Sequence, residues 1–376
     1  MARARGLREL IEHEADATDR ALTLSPPLVE AFARSQLFHV MVPRELGGLE
    51  ASTGELLDVF EELAYADGSV GWSLMANASA NAYVAYLDRD IGTAATAGSG
   101  STIAGQFSPL GRVVREHGGF RVSGRFQFGS GCGHASYLGG AGFVIGADGQ
   151  PEIGTDGMPL YLVFFVPRDR VALKGNWDVM GLRGTGSFDY EVEDQLVEAG
   201  WTFPIFGFHV RSGGPLFGIG PIALAGIGHA GWGLGVARRA LDEVARIAAA
   251  GRARMGATPL KEQQVFQREL GQKTLALQSV RLLAHDVFAR AVERVRQSGP
   301  LTFADVPELM AATAYLTEVA EDATLFAYRA AGSQGLRNPS LVQRCFRDVM
   351  TGGLHFYVDR KSYEEIGKKA LAAASL

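Results

Sequence analysis

Three short stretches carry side chains able to do chemistry in a chain that is otherwise 47% hydrophobic. The first, Arg125 to Tyr137 (RFQFGSGCGHASY), sets Ser130 in a Gly-Ser-Gly bend shortly before His134. The second, Asn176 to Asp189 (NWDVMGLRGTGSFD), gathers Trp177, Arg183, Thr185 and Ser187. The third, Leu341 to Phe356 (LVQRCFRDVMTGGLHF), carries Arg344, Arg347 and Asp348 ahead of His355. A serine in such a bend can be a plain turn residue, or can offer its hydroxyl as a hydrogen-bond partner. Imidazole titrates close enough to neutrality to move a proton under ordinary conditions. His134 and His355 are the two histidines in suggestive settings. His39, His209, His229 and His285 read as core or turn histidines, and His13 and His117 as surface ones.

These stretches need elements to hold them. Helical patterns run over Leu7–Arg20 and Leu28–Gln36, the latter started by Ser25-Pro26-Pro27. The VPRELGG turn follows, then Gly54–Tyr65 capped by Ser52 or Thr53, and the almost wholly apolar Ser69–Leu87. From Ser101 to Phe203 the period changes to short alternating runs: Gly119–Phe128, Tyr137–Ile145, Tyr161–Val166 and Ser187–Leu196. Helix returns over Pro221–Ala250, Leu260–Ser298, Phe303–Ala331, Leu341–Gly352 and Phe356–Ala374, with Gly299-Pro300 and Asn338-Pro339 as stops. The expected class is α+β: an N-terminal helical domain (1–100), a middle antiparallel β-barrel or sandwich (101–205) and a C-terminal four-helix bundle (206–376). No parallel sheet is required.

Bulk properties remove several function classes. The 376 residues suffice for a large core, and a net charge of −5 with no basic stripe speaks against nucleic acid. Two distant cysteines, Cys132 and Cys345, make neither a CxxC site nor a disulfide framework, so a reduced cytoplasmic protein is expected. Glu9, Glu12, Glu14 and Asp16 follow the early arginines without an apolar run, unlike a signal peptide. Between Arg211 and Arg238 no residue is charged, but nine glycines, Pro215, Pro221 and His229 favour a tightly packed helix or subunit contact over a membrane span. Gly226-Ile-Gly228-His-Ala-Gly231 fits GxGxxG, yet the strand and βαβ context of a dinucleotide loop is missing. No HExxH, paired CxxC, GxSxG or P-loop is present, and no metal site is expected.

Taken as a set, the three stretches resemble the acyl-CoA dehydrogenase fold, and within it the two-component flavin-dependent monooxygenases (group D hydroxylases). The run Gly124-Arg-Phe-Gln-Phe-Gly-Ser130-Gly-Cys-Gly-His134-Ala resembles that group's G-x-W-x-F-x-S-G-x-x-H-A segment, with Phe126 in place of tryptophan. Trp177-x-x-x-Gly181-Leu-Arg183-Gly-Thr185-Gly-Ser187 is similar to its second β-domain signature. Arg344-x-x-Arg347-Asp348 followed by His355 resembles its C-terminal helix motif. The similarity spans about Pro26 to Gly367.

The resemblance implies reduced FMN or FAD, exchangeable and delivered by a separate NAD(P)H:flavin reductase, with O2 and a small aromatic or heteroatom-bearing substrate. It implies a homotetramer formed through the C-terminal bundle. Ser130 is expected to bond the central flavin ring, with Trp177, Arg183, Thr185 and Ser187 as further cofactor contacts. Arg252 of the GRARMG run is expected at the phosphate or adenine end. Phe126, Phe128, Trp72 and Trp177 are expected as apolar walls that keep water out. His355 is expected to deprotonate substrate or orient the oxidant, and Trp72, Asn77 and Asn81 to line the substrate pocket.

Two departures keep alternatives open. The dehydrogenase branch carries a glutamate base shortly after the Arg-Asp pair, where this chain reads Gly352-Gly-Leu-His355. Phenol hydroxylases usually carry a histidine on the second N-terminal helix, where this chain offers alanine or asparagine, including Asn77 and Asn81 on one face. An acyl-thioester or nitroalkane dehydrogenase or oxidase, and a non-catalytic scaffold, are the alternative readings.

Overall fold

The computed structural model describes residues 1–154, 157–253 and 258–374. Six helices open the chain: α1 (Ala2–Arg5), α2 (Arg8–Ala21), α3 (Pro26–Ser35), α4 (Thr53–Ala66), α5 (Gly68–Ala82) and α6 (Arg89–Ala95). The start of α4 is set by a capping box, in which Ser52 accepts from the Glu55 amide and Glu55 reaches back to the Ser52 amide. Asp67 caps α5 by accepting from the Val70 amide.

Seven strands follow: β1 (Ile103–Glu116), β2 (Gly119–Gly129), β3 (Tyr137–Val144), β4 (Tyr161–Pro167), β5 (Val171–Leu173), β6 (Phe188–Glu198) and β7 (Thr202–Pro204). They form one sheet in the order β5-β6-β2-β1-β3-β4-β7. The expectation of a purely antiparallel module is corrected at its centre, where β1 and β3 run parallel. β1 also lies outside the strand pattern expected from sequence. Its alternation is broken by Gly105, Pro109 and Gly111, which sit at register shifts against β3, where a proline costs no ladder bond. Phe126 on β2 meets Phe164 on β4 at 6.1 Å although two strands separate them, so the sheet curls around its own small core without closing.

The C-terminal part holds α7 (Pro221–Ala249), α8 (Gln264–Ser298), α9 (Val306–Ala331), α10 (Leu341–Gly352) and α11 (Lys361–Ala374). Its helices share one continuous core with the N-terminal helices: Leu57, Phe60 and Leu63 of α4 belong to the same cluster as Ile227, Trp232 and Val236 of α7. The glycines of α7 explain this closeness. A Cβ on Gly231 would lie 2.7 Å from Phe60 Cβ, and one on Gly235 2.8 Å from Ala64 Cβ. The GxGxxG letters therefore mark helix packing inside the chain. No helix among the described residues is long and apolar enough to cross a membrane.

Alternation on β4 links the two cores: Phe164 points into the sheet's own core, and its neighbour Phe165 into the shared helical one. The end of β2, the loop before β6 and the helices α5, α7 and α10 thus meet at one junction.

Candidate active site

The loop from Asn176 to Ser187 is the hub of that junction. Arg347 of α10 donates to the Met180 carbonyl at 2.6 Å, and Asp348 accepts from the Leu182 amide at 2.6 Å. A Cβ on Gly181 would lie 2.7 Å from Thr351 Oγ1, so only glycine lets the loop press this close to α10. On the other side, the Gly184 amide donates to Ser69 Oγ and Ser73 Oγ donates to the Thr185 carbonyl, both from α5. The Gly131 amide donates to the same Thr185 carbonyl and brings in the end of β2.

These ties assemble a directional chain of hydroxyls. Thr185 Oγ1 donates to the Leu182 carbonyl at 2.8 Å, which a carbonyl can only accept. Ser187 Oγ, 2.7 Å away, must then donate to Thr185 Oγ1, and Ser130 Oγ must donate to Ser187 Oγ at 2.8 Å. Trp72 Nε1 donates to Ser130 Oγ at 3.0 Å. A hydroxyl has one proton and two lone pairs, so Ser130 keeps one lone pair to accept an incoming N–H. The backbone before it is constrained as well: Phe128 holds φ 60°. That region is costly for a bulky residue, of order 1–3 kcal/mol, and such strain concentrates at functional sites.

Beside this chain stand four rings. Trp72 touches Trp232 edge-on at 4.8 Å, His229 at 5.4 Å and His355 at 5.6 Å. His229 and His355 are 5.6 Å apart. His355 Nδ1 accepts the Tyr357 amide at 3.3 Å, so in the neutral ring the proton sits on Nε2 and the residue is a donor. Burial pushes its pKa down to about 4, which keeps it neutral at ordinary pH. A neutral ring with its Nδ1 engaged presents a hydrogen-bond donor at Nε2.

The remaining sequence-derived candidates divide clearly. Trp177 donates to the Leu182 carbonyl at 3.0 Å and stands at the junction, with the 60% exposed Phe128 edge-on at 6.3 Å. Arg183 shapes the hub loop through the Val179 carbonyl and an ion pair with Asp19 at 3.5 Å. Asn77 and Asn81 are both buried and hydrogen-bonded within the protein, mostly to the backbone. Asn77 Nδ2 donates to the Ile103 carbonyl, and Asn81 donates to the Phe38 carbonyl while accepting from the Ile103 amide. Asn77 Oδ1 also holds His134 Nε2 at 3.0 Å, which makes His134 a pin between α5 and the β2 end. Phe126 belongs to the sheet's core, stacked on Tyr190, and walls no site. Arg252 donates to the Ala331 carbonyl at the end of α9, apart from the hydroxyl chain, and residues 254–257 of its run lie outside the described residues. Among the described residues no metal-ligand cluster occurs.

Sequence reasoning missed His229. Set between glycines on an apolar helix, it looked like a satisfied core histidine, yet neither ring nitrogen has a partner. Two cavities, of about 470 Å³ beside Arg344 and about 420 Å³ beside Phe206, lie elsewhere. The candidate site therefore rests on side-chain chemistry and not on cavity size.

The chain is similar to several known proteins. An indole-3-acetate monooxygenase of Pseudomonas putida is 29% identical over 93% of this chain and 87% of its own length. The crystal structure of 3-HSA hydroxylase from Rhodococcus sp. RHA1 matches with a TM-score of 0.90 at 21% identity, over 99% of this chain and 96% of that one. XiaF from Streptomyces sp., solved in complex with FADH2 and glycerol, matches with a TM-score of 0.88 at 21% identity, over 99% and 94%. The two structural likenesses establish the fold: N-terminal helices, a central mixed sheet and a C-terminal helical domain. The family description "Acyl-CoA dehydrogenase, N-terminal domain" matches residues 1–92, and "Acyl-CoA dehydrogenase, C-terminal domain" matches residues 227–360. Bracketing the sheet on both sides, these matches show that the chain belongs to the acyl-CoA dehydrogenase family.

Proposed function

We propose that this chain is the oxygenase component of a flavin-dependent monooxygenase, acting with reduced flavin and O2 on an aromatic or heteroatom-bearing small molecule. One oxygen atom goes to the substrate and the other leaves as water, with the electron pair supplied by the reduced flavin. The observation that carries the reading is the directed chain Trp72–Ser130–Ser187–Thr185–Leu182, which turns Ser130 into an acceptor. A protonated ring nitrogen is the group such an acceptor holds, and a reduced flavin presents one.

The surroundings fit a flat ring system with a polar edge. Phe128, Met180, Leu354 and Phe356 expose large apolar side chains around the junction, at 60%, 55%, 86% and 60%. Trp177 backs that surface, and Thr185 and Ser187 act through Ser130. Arg183 holds the loop in shape. Arg252 caps the end of α9, so a contact with the phosphate end of FMN or FAD, remote from the ring, is the role proposed for it. His355 donates from Nε2 toward substrate or oxidant. Among the described residues there is no βαβ unit, which supports a separate NAD(P)H:flavin reductase as the electron source. The wall beside Ser130 is built of imidazoles and indoles, which favours oxygen transfer over proton abstraction next to a thioester.

Anaerobic titration with reduced FMN and reduced FAD tests the proposal, followed by mixing with oxygenated buffer while flavin reoxidation and hydrogen peroxide release are recorded. Tight binding of the reduced form, with peroxide released far more slowly than from free flavin, is expected. A protein that binds neither reduced flavin, or leaves peroxide release unchanged, overturns it.

A further inference from the structure

His229 is buried in the junction with neither ring nitrogen satisfied. It lies inside α7, is 1% exposed, and leaves both Nδ1 and Nε2 without a hydrogen-bond partner. Each unpaired buried polar group costs on the order of 1–3 kcal/mol. Packing does not demand an imidazole there, because an apolar ring of like size would keep the contacts with Trp72 and Trp232. Its place is also specific: with Trp72 and His355 it forms a triangle of rings with sides of 5.4, 5.6 and 5.6 Å. Trp72 is the side chain whose indole bonds Ser130.

The two imidazoles offer complementary groups. His355 has its lone pair occupied by the Tyr357 amide and presents an N–H, whereas His229 has both a lone pair and an N–H with no claimant, and only the lone pair complements the donor that His355 already supplies. Both are kept neutral by burial, and a charge on either would repel the other. Neutral imidazoles do not attract an anion; a buried lone pair without a partner selects a neutral donor.

We propose that His229 is a specificity-determining residue that accepts a hydrogen bond from a ring-borne O–H or N–H of the substrate. The site then takes phenols or N–H heteroaromatics in preference to their O- or N-methylated counterparts. This assignment rests on the monooxygenase reading and adds the substrate class to it. A site built to bond a substrate hydrogen rejects analogues lacking it far more strongly than apolar contacts alone discriminate.

The test compares matched probes: phenol with anisole, and indole with 1-methylindole. Each is titrated into the wild-type protein with and without oxidised FAD, following tryptophan fluorescence. Wild type is expected to bind the donor of at least one pair about tenfold or more tighter than its methylated partner. His229→Phe keeps a ring but no nitrogen, and is expected to bring each pair within about twofold while leaving the melting temperature equal or higher. His229→Gln, which retains an acceptor, is expected to keep part of the preference. A wild type that does not discriminate, including one that binds no probe at millimolar concentration, overturns the proposal. So does a His229→Phe protein that keeps the preference, whatever its melting temperature. Reduced-flavin binding by wild type is scored separately, so a failed oxygenase reading and a failed His229 assignment give different results.

Discussion

Trp72 and Ser130 are joined by a 3.0 Å hydrogen bond from the indole Nε1 to the hydroxyl Oγ, across the seam between α5 and the end of β2. This bond takes one lone pair of the serine, and the Ser187 hydroxyl takes its proton. What remains is a single acceptor direction. Ser130→Ala removes it and leaves the Trp72 N–H and its neighbours short of a partner, at about 1–3 kcal/mol of stability. The variant is expected to fold, to bind reduced flavin more weakly and to release peroxide at least about tenfold faster than wild type, since lost preorganised polar contacts typically cost 10²–10³. Ser130→Thr, which keeps the hydroxyl, is expected to recover part of the effect. Peroxide release and anaerobic flavin titration measured together decide the matter; an unchanged Ser130→Ala profile removes the serine from the site.

His355 is expected to matter as a donor. With Nδ1 engaged by the Tyr357 amide and a pKa near 4, it stays neutral from about pH 5.5 upward. His355→Ala should lower product formation per flavin oxidised by about 10²- to 10³-fold, the usual loss when a positioned donor is removed. His355→Gln, whose amide can also donate, should retain more. The pH profile of coupling in wild type should show no step near 6.5. A step there that disappears in His355→Ala would mean that the imidazole titrates as a base after all.

Gly352 sets how far α10 can approach the two indoles. A Cβ at this position would lie 2.7 Å from Trp232 Cζ3 and 2.8 Å from Trp72 Cζ3. Gly352→Ala must therefore displace rigid rings on both sides, and overpacking of this kind costs about 1–3 kcal/mol. Because Trp72 carries the bond to Ser130, the same substitution is expected to raise peroxide release even though residue 352 touches no ligand. Thermal unfolding, tryptophan emission and peroxide assays on one preparation give three independent readings. Unshifted emission with normal coupling would show that the rings move freely.

The homotetramer implied by the family resemblance has a candidate contact on α8, not on the glycine-rich α7, whose small residues are used inside the chain. Leu275 and Leu282, seven residues apart on one helix face, are 65% and 69% exposed. Charging both with Leu275→Glu and Leu282→Glu is expected to shift the protein to dimers or monomers in size-exclusion chromatography with light scattering. The monomer fold should persist, because neither side chain belongs to the core. A wild type that is already monomeric refutes the tetramer; an unchanged tetramer in the double variant refutes this face.

Much of this architecture was legible in the residues, for physical reasons that differ by element. Helices with strong caps or one apolar stripe, such as α4 and α10, declared themselves through local rules. β1 did not, because Gly105, Pro109 and Gly111 disguise a strand whose partner is chosen by the curl of the whole sheet. At the junction, Ser130 and His355 drew notice because their neighbours in sequence form motifs, whereas the bond from the Trp72 indole to Ser130 has no signal in the sequence. For Asn77 and Asn81, spacing places them on one helix face but says nothing of which backbone groups wait opposite. His229 was invisible for a related reason. Whether a buried imidazole is satisfied depends on α5 and α10, more than a hundred residues away in sequence in each case.

The carboxyl of Asp348 makes the stability of the junction depend on pH. Oδ1 accepts from the Leu182 amide, while Oδ2 is buried without a partner. Burial, helped by the neighbouring Asp67 carboxyl, raises the Asp348 pKa from its ordinary value to about 7, although Arg344 and Arg347 act in the opposite direction. A carboxyl with a raised folded pKa contributes stability while protonated, below its unfolded value near 4, and loses that contribution as pH climbs through 7. Asp348→Asn copies the protonated form, and its Oδ1 can still accept from Leu182. It is therefore expected to exceed wild type in stability by a margin that grows by on the order of 2 kcal/mol between pH 5 and pH 8. The neutral histidines shift the background in the other sense. His39, His134, His229 and His355 all have lowered pKa values through burial, so their contribution is present above about pH 6.5 and is lost as pH falls toward 4. Urea unfolding of both proteins at pH 5, 6.5 and 8 separates the two effects, since the histidine slope is common to both and cancels in the difference. A difference that is flat with pH, or largest at pH 5, would show that Asp348 is ionised in the folded protein throughout, held by the guanidinium groups beside it.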